Sequence, residues 1–189
     1  MLPQNNLRKL DAGGFLKDEG SVNGVWNAIL QQCYPTGTDV KYLVNPELRI
    51  QEDSRPDLLV RSFTYTGNTA TAIPVLVFEG KGSDGEDWLR IESQLSTYMG
   101  KLPLAESQKC WAIGAKGKEM KLWRYYKANG DFLPWKINTP GGRSPLIQEV
   151  ERKKAPNAYS VVDDYGDVRI LMDFITKYPD PNTAPSSGP

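Results

Sequence analysis

The sequence predicts an α/β fold in which helices flank a central mixed sheet. Three observations support it: helical hydrophobic stripes alternate with strand-like runs, one strand contains four consecutive apolar residues, and turn signals separate the later strands. The order along the chain is helix, strands, helix, strands, helix. The 189 residues, of which 39% are hydrophobic, suit one core. We therefore expect a single domain over residues 1–178 and a disordered tail, rich in proline and serine, over residues 179–189.

The first predicted helix has apolar residues at spacings of three and four between Val22 and Cys33. Ser21 is placed to cap its start, and Pro35 follows its end. Short runs rich in apolar and β-branched residues come next and predict strands. These strands are expected at residues 40–44, 48–51 and 57–65.

The most informative strand runs from Ile73 to Phe78. The four consecutive apolar residues after Pro74 predict burial on both faces, and hence a central place in the sheet. A proline cannot donate a hydrogen bond to a neighbouring strand, so we expect Pro74 only at the start of this strand.

A second helix and a three-stranded meander follow. Ser83 and Asp84 can cap this helix, whose apolar stripe runs from Trp88 to Leu102. The Asn129-Gly130 pair is a strong two-residue hairpin signal. The remaining predicted elements are strands at 109–115, 119–126 and 132–138, a polar loop at 141–156, a short strand at 159–162 and a last helix around 168–175.

The composition excludes several kinds of chemistry. The chain contains no histidine, which rules out histidine-dependent catalytic triads, histidine general bases and histidine-ligated zinc. Cys33 and Cys110 cannot form a disulfide framework or, by themselves, a structural zinc site. Because there is also no apolar run typical of a signal peptide or a membrane span, we expect an intracellular protein, cytoplasmic or nuclear, that makes no membrane contact.

The charge is unevenly distributed, although 23 basic and 23 acidic residues give a net charge of zero. Residues 1–100 carry a net charge of −4, residues 101–154 carry +7 and residues 155–189 carry −3. In the basic block, aromatic and basic residues interleave, which suits base stacking and phosphate contacts. The alternative is a meander with one face in the core and one in water. The candidate nucleic-acid-binding residues are Lys116, Lys118, Lys121 and Arg124.

Charged residues gather at the predicted end of the buried strand. Asp57 opens one strand, and Glu79 and Lys81 end the next. Alternation along a strand places Glu79 and Lys81 on one face, and Asp57 can approach Glu79 if the two strands pair. Two buried carboxylates are costly unless a cation joins them, and oxygen ligands suit Mg²⁺ or Mn²⁺. Such a site could hydrolyse a phosphodiester without histidine. Lys81 would then orient or help deprotonate the water that attacks the phosphorus, or neutralise the charge that develops on the phosphate.

The acidic-x-Lys pattern alone is not specific, because it occurs four times in the chain. Only Glu79-Gly80-Lys81 ends a continuous apolar strand and leads into a helix. The alternative for Glu79 and Lys81 is an exposed ion pair, and the alternative for Asp57 is a turn or cap role after Pro56. The other three occurrences are Asp39-Val40-Lys41, Glu119-Met120-Lys121 and Glu151-Arg152-Lys153.

With Pro56-Asp57 and Glu79-Gly80-Lys81 in this order, the chain resembles the PD-(D/E)XK nuclease superfamily over residues 19–126. It is also similar to uncharacterised fungal proteins with a restriction-endonuclease-like domain. The resemblance implies a restriction-endonuclease-like αβββαβ core, extended by a β-meander and a C-terminal helix. It further implies that Asp57, Glu79 and the Gly80 carbonyl ligate Mg²⁺ or Mn²⁺, and that Lys81 is catalytic.

Some branches of that superfamily add an acidic metal ligand on the first helix and a catalytic glutamine on the second. Glu19 and Gln94 match these roles by position. The alternatives are a solvated carboxylate at the helix start for Glu19 and an ordinary polar residue beside the apolar stripe for Gln94.

The implied function is metal-dependent hydrolysis of phosphodiester bonds in nucleic acid, with DNA favoured over RNA. Cutting both strands of a duplex would call for a homodimer. Two alternatives remain open. One is a catalytically inactive nuclease-fold domain that binds nucleic acid or protein, as an effector or part of a conflict system. The other is a different α/β protein whose motif match is accidental.

Overall fold

The computed structural model describes residues 1–51, 54–105, 108–138, 146–149 and 158–184, without the side chains of residues 137, 138 and 146–149. Over these ranges, helices flank one mixed sheet, as predicted. The helices are α1 (Gln4–Ala12), α2 (Glu19–Cys33), α3 (Trp88–Lys101) and α4 (Tyr165–Lys177), with a 3-10 turn at Phe15–Lys17. The strands are β1 (Tyr42–Pro46), β2 (Leu58–Thr66), β3 (Thr69–Lys81), β4 (Lys109–Lys116), β5 (Glu119–Tyr126), β6 (Asp131–Asn138), β7 (Leu146–Glu149) and β8 (Tyr159–Ser160).

The described strands follow the spatial order β1-β2-β3-β4-β5-β6-β7, and β8 pairs with β5. Strands β3 and β4 are parallel and are joined through α3, whereas the other pairs are antiparallel. The segment from α2 to β4 therefore has the predicted αβββαβ order, and β4, β5 and β6 form the predicted meander. The parallel pair puts the ends of β3 and β4 at the same edge of the sheet.

Side chains alternate between two apolar layers along β3. Leu76 and Phe78 face the layer that holds α1, α2 and α4, where Trp26 stacks on Phe78 with ring centroids 5.3 Å apart. Val77 faces the other layer, which holds α3. Cys110 of β4 is fully buried in this second layer. Helices therefore cover both faces of β3, as its continuous apolar run predicts.

The start of α2 differs from the prediction. Ser21 is not the cap: Asp18 is, because its Oδ2 accepts a hydrogen bond from the Ser21 N–H at 2.8 Å. Both residue types can cap a helix, and the aspartate three residues earlier satisfies the free backbone amide. The helix consequently begins at Glu19, so this carboxylate lies in its first turn.

The start of α3 also differs from the prediction. Asp87 caps the helix by accepting a hydrogen bond from the Arg90 N–H at 3.0 Å, in place of Ser83 or Asp84. Ser83 and Asp84 lie in the turn that connects β3 to the helix. The turn is therefore longer than predicted, and its extra residues separate the end of β3 from the helix start.

Strand β3 is longer than predicted and contains Pro74 in its interior. Pro74 lies opposite Arg61, beside a register shift between Val60 and Arg61, and the pairing of β3 with β4 begins only at Leu76. The missing N–H of Pro74 therefore removes no hydrogen bond to β4. The expectation that Pro74 stands only at the strand start was wrong.

Residues 48–51 do not form the predicted strand. They contain one isolated bridge, between Gln51 and Ser54. Glu47, just after β1, has a positive φ of 46° and redirects the chain. The predicted loop at 141–156 contains β7, and its other residues lie outside the described ranges.

Helix α1 was not predicted, because Leu7 is its only buried residue. Tertiary contacts hold this helix and its flank: the Gln4 Nε2 donates to the Val162 carbonyl at 2.7 Å, and the Tyr165 hydroxyl donates to the Leu2 carbonyl at 3.0 Å. Such long-range contacts leave no periodic pattern in the local sequence.

The first residues of the predicted tail have a defined conformation. Within the tail, the Thr183 N–H donates to the Asp180 carbonyl at 3.0 Å, and Ala184 packs against the core. Just before the tail, the Tyr178 carbonyl accepts a hydrogen bond from the Trp111 Nε1 at 2.8 Å. Residues 185–189 lie outside the described ranges. In the part of the chain that the structure describes, none of the helices has the length and apolar character needed to cross a bilayer.

Candidate active site

Asp57 and the end of β3 meet at one edge of the sheet. Asp57 directly precedes β2, and its Oδ2 accepts a hydrogen bond from the Gly80 N–H at 2.8 Å. The register of β2 on β3 pairs Leu58 with Phe78, so Asp57 comes opposite Glu79. The predicted approach of Asp57 to Glu79 is thus built into the strand pairing.

Lys81 is held between two carboxylates. Its Nζ lies 2.9 Å from Glu79 Oε1 and 3.0 Å from Glu19 Oε1. Glu79 is 2% exposed and Lys81 is 8% exposed, so this is not the exposed ion pair that the sequence left open. A buried pair of this kind is costly to desolvate, and losing either partner would leave an uncompensated charge.

The proton affinities of these groups are strongly perturbed. Burial, and then the negative charge of Asp57, raise the pKa of Glu79 to about 7. Burial also raises the pKa of Asp57, against the stabilising Gly80 N–H. Burial acts to lower the pKa of Lys81, but the bonds and charges of Glu79 and Glu19 outweigh it and raise the pKa overall. The Asp57 and Glu79 carboxylates are therefore poorly solvated and repel each other. An additional positive charge beside them would favour their ionised forms.

The Gly80 carbonyl faces the same side as Asp57. On the opposite side of β3, towards β4, the Lys81 carbonyl accepts a hydrogen bond from the Gly117 N–H at 2.8 Å. Successive backbone groups along a strand point to opposite sides, and the Gly80 N–H points to Asp57. The Gly80 carbonyl and the Asp57 carboxylate therefore lie on the same side of β3, and Asp57 is also opposite Glu79.

These residues fit a hard divalent cation. Glu79 Oε2 is buried and has no hydrogen-bond partner among the described residues, and the same is true of Gln94 Oε1. A buried acceptor without a donor is costly, and a cation removes that cost. The described residues contain no group of three or more acidic or cysteine side chains placed to hold a metal. Two carboxylates and a carbonyl are oxygen ligands of the kind that Mg²⁺ takes, with water in its remaining positions.

Glu19 joins the site through Lys81. It is the first residue of α2, and its side chain is 48% exposed while its Oε1 contacts the Lys81 Nζ. Its charge also acts to raise the pKa of Asp57. Glu19 is therefore not merely a solvated helix-start residue, and its role as a metal ligand stays a prediction.

Gln94 lies on α3 at the level of Glu79. Its neighbours Ile91 and Leu95 pack against Gly114, which is the register partner of Glu79 in β4. Tyr98, one turn further along α3, was predicted only as part of the apolar stripe. Burial, and then the charges of Glu79 and Asp57, raise the pKa of Tyr98. The Tyr98 hydroxyl is therefore close enough to these carboxylates to be affected by their charge. The four-residue spacing from Gln94 to Tyr98 is the signal that could have identified it.

Two of the four basic candidates lie on the same sheet face as Glu79. Lys116 is the register partner of Lys81, and Lys121 pairs with Gly114, next to Glu79. The Lys121 Nζ also lies 4.5 Å from the centre of the Trp88 ring. These two lysines therefore lie on the same face as the carboxylates.

The other two basic candidates lie elsewhere. Lys118 is in the turn after β4, and its Nζ is 2.9 Å from Asp163 and 3.5 Å from Asp11. Arg124 lies on the opposite face of β5 from Lys121, with its guanidinium 5.3 Å from the Trp135 ring centre. The four residues therefore do not form one continuous basic surface.

Among known proteins, no family model matches the chain, and no curated protein matches its sequence. One similar solved structure is a cryo-EM structure of a DrdV–DNA complex, with a TM-score of 0.46 and 11% identity over 93% of each chain.

Proposed function

We propose that this protein is a metal-dependent nuclease of the PD-(D/E)XK type that hydrolyses phosphodiester bonds, with DNA favoured over RNA. The observation that carries the proposal is the meeting of Asp57, Glu79 and Gly80 with a buried Lys81 at one edge of the sheet. All four residues come from two adjacent strand ends, so the backbone ladder fixes their relative positions.

Asp57, Glu79 and the Gly80 carbonyl would hold Mg²⁺ or Mn²⁺. When bound, the cation supplies a positive charge that acidifies a water molecule and stabilises charge developing on the phosphate oxygens. Glu79 Oε2 and Gln94 Oε1 are buried oxygens without a hydrogen-bond partner among the described residues, so both are available as acceptors.

Lys81 acts in this proposal as a fixed positive charge. An ammonium group has three N–H donors, and Glu79 and Glu19 take two of them. The third can donate to a phosphate oxygen or to the attacking water. Because its pKa is raised, Lys81 keeps its proton, which favours orientation and charge stabilisation over its use as a general base.

The proposal is tested by cleavage of supercoiled plasmid, single-stranded DNA and RNA in Mg²⁺ or Mn²⁺. We expect the wild type to cut DNA and EDTA to stop it. Asp57→Asn, Glu79→Gln and Lys81→Met should each lower the rate by about 100-fold or more. Asp173→Asn is the matched control, because Asp173 is an exposed carboxylate that pairs with Arg169 on α4.

Cleavage that survives both EDTA and the Asp57→Asn, Glu79→Gln double variant would overturn the proposal. Binding of nucleic acid or of a protein partner, with neither cleavage nor Mn²⁺ binding, would instead support the inactive-domain alternative. Light scattering with and without duplex DNA tests the expected homodimer.

A further inference from the structure

Asn23 is a polar residue beside the site that the proposed chemistry does not use. It lies one turn after Glu19 on α2, so the two side chains share the face that meets the end of β3. Its Oδ1 is buried and has no hydrogen-bond partner among the described residues. Such an atom is costly in a folded protein, and its retention needs a reason.

Gly80 is the residue that the Asn23 oxygen touches. A Cβ placed on Gly80 would collide with Asn23 Oδ1 before any other atom, and next with the Phe78 ring. The positive-φ glycines of this chain do not include Gly80, so its backbone does not demand glycine. Close packing of Asn23, and next of the Phe78 ring, is therefore what excludes a side chain there.

The other end of the Asn23 amide faces Asp57. Asn23 and Asp57 line the same cleft. Because the amide oxygen lies against Gly80, the amide nitrogen is the group left to donate to the Asp57 carboxylate.

We propose that Asn23 is a positioning residue for the metal site, which sets Asp57 and the Gly80 backbone relative to each other. The inference rests on the proposed function, since these two residues supply two of the three oxygen ligands. A cleft of about 160 Å³ lined by Asn23, Asn27 and Asp57 lies beside them. Without the Asn23 amide, the Asp57 carboxylate would have room to turn into this cleft and away from Glu79.

Mn²⁺ binding, measured by calorimetry on the full chain, tests this inference without depending on cleavage. We expect Asn23→Ala to weaken Mn²⁺ binding by about 10-fold, as is typical for residues that orient ligands. Asn23→Leu keeps much of the volume but has no N–H, and it should weaken binding as much. Asn27→Ala is the control: Asn27 lines the same cleft one turn away and should bind Mn²⁺ like the wild type.

A double-variant cycle tests the contact itself. Gly80→Ala alone should weaken Mn²⁺ binding by about 10-fold or more, because the new methyl group displaces Asn23. In the Asn23→Ala background the new methyl group meets only the Phe78 ring, so Gly80→Ala should cause a smaller further loss than it does in the wild type. Thermal unfolding of each variant in EDTA shows that the fold is intact at the temperature of measurement.

The outcomes separate the two proposals. A wild type that binds no Mn²⁺ overturns the proposed function and the positioning role with it. A wild type that binds Mn²⁺, with Asn23→Ala unchanged or with Asn23→Leu restored to the wild-type affinity, overturns only the role of the Asn23 amide. A Gly80→Ala penalty equal in both backgrounds overturns the contact between Asn23 and Gly80.

Discussion

Two segments of this sheet have the same acidic-x-Lys pattern and different environments. In Glu79-Gly80-Lys81, the glutamate is 2% exposed and the lysine is 8% exposed, and the two form a buried pair. In Glu119-Met120-Lys121, the glutamate is exposed and the lysine is half-buried over the Trp88 ring. Both segments present their charged side chains on the same face of the sheet.

The neighbours of each segment cause the difference. Three further polar side chains surround the end of β3. Asp57 comes from the residue before β2, and Glu19 and Asn23 come from the first turns of α2. The central residue of the other segment, Met120, is fully buried in the apolar core. A three-residue pattern therefore specifies which side chains share a face, and the strands and helices around it decide whether they form a site.

The largest expected difference between the segments is in stability. We expect Lys81→Met to lower the free energy of unfolding by about 3–5 kcal/mol in EDTA, because Glu79 would be left as a buried, unpaired charge. Lys121→Met should cost no more than about 1 kcal/mol, the usual strength of an exposed cation–π contact. Urea denaturation at pH 8 measures both, and equal losses would contradict the comparison.

The loss in Lys81→Met should grow with pH. Burial, then Asp57, raise the pKa of Glu79 from 4.5 to about 7, so the folded protein holds a proton there that the unfolded chain has released. Between these values, the contribution of Glu79 to stability falls as pH rises. Without the Lys81 ammonium to favour the ionised form, the pKa of Glu79 rises further, so the fall continues above pH 7, where it levels off in the wild type. Urea denaturation at pH 6, 7 and 8 checks this, with Lys121→Met as the control.

The next largest expected difference between the segments is in stabilisation by a bound metal ion. A cation that binds only the folded protein stabilises it by about 2.7 kcal/mol at 100 times its dissociation constant. We expect Mn²⁺ to stabilise the wild type and Glu119→Gln in this way, and to give no shift in Glu79→Gln. Thermal unfolding with and without Mn²⁺ measures it. Loss of the shift in Glu119→Gln would show that the cation binds elsewhere on the face.

The smallest effect concerns the basic residues between the two segments. Lys116→Gln and Lys121→Gln should each weaken DNA binding and reduce the dependence of log affinity on log salt by about one unit, because each removes one phosphate contact. Lys118→Gln should change this slope less, since its ammonium is paired with Asp163. Fluorescence anisotropy over a range of salt concentrations gives the slopes. A larger effect at Lys118 than at Lys116 and Lys121 would show that DNA contacts the turn between β4 and β5 and not the face that holds Glu79.

The sequence predicts the parts of this molecule that depend on local periodicity. The alternation of helices and strands, the meander and the shared face of Glu79 and Lys81 follow from alternation and helical spacing, and the structure has all three. The αβββαβ order was implied by the family resemblance, since the local pattern predicted a further strand at 48–51 that the structure lacks. Burial of β3 between two layers follows from its apolar run. The metal and the chemistry at this edge remain predictions.

The parts that the sequence does not predict depend on contacts between distant segments. Helix α1 has one buried leucine and is held by Val162, and Asp18 takes the cap that Ser21 was expected to form. Asn23 carries no spacing signal, because its contact with Gly80 joins residues far apart in the chain. Tyr98 looks like an ordinary core residue in a helical stripe. Local patterns cannot distinguish these cases, since the deciding neighbour is on another element.

The buried thiol in β4 provides a built-in reporter of how the sheet opens. Cys110 is fully buried beside β3, and burial raises the pKa of its thiol, so a thiol reagent reaches it only when the sheet separates. Cys33, half-buried at the end of α2, should react through smaller openings. Labelling rates at these two native cysteines would therefore distinguish local fraying of α2 from opening of the sheet, without any engineered cysteine.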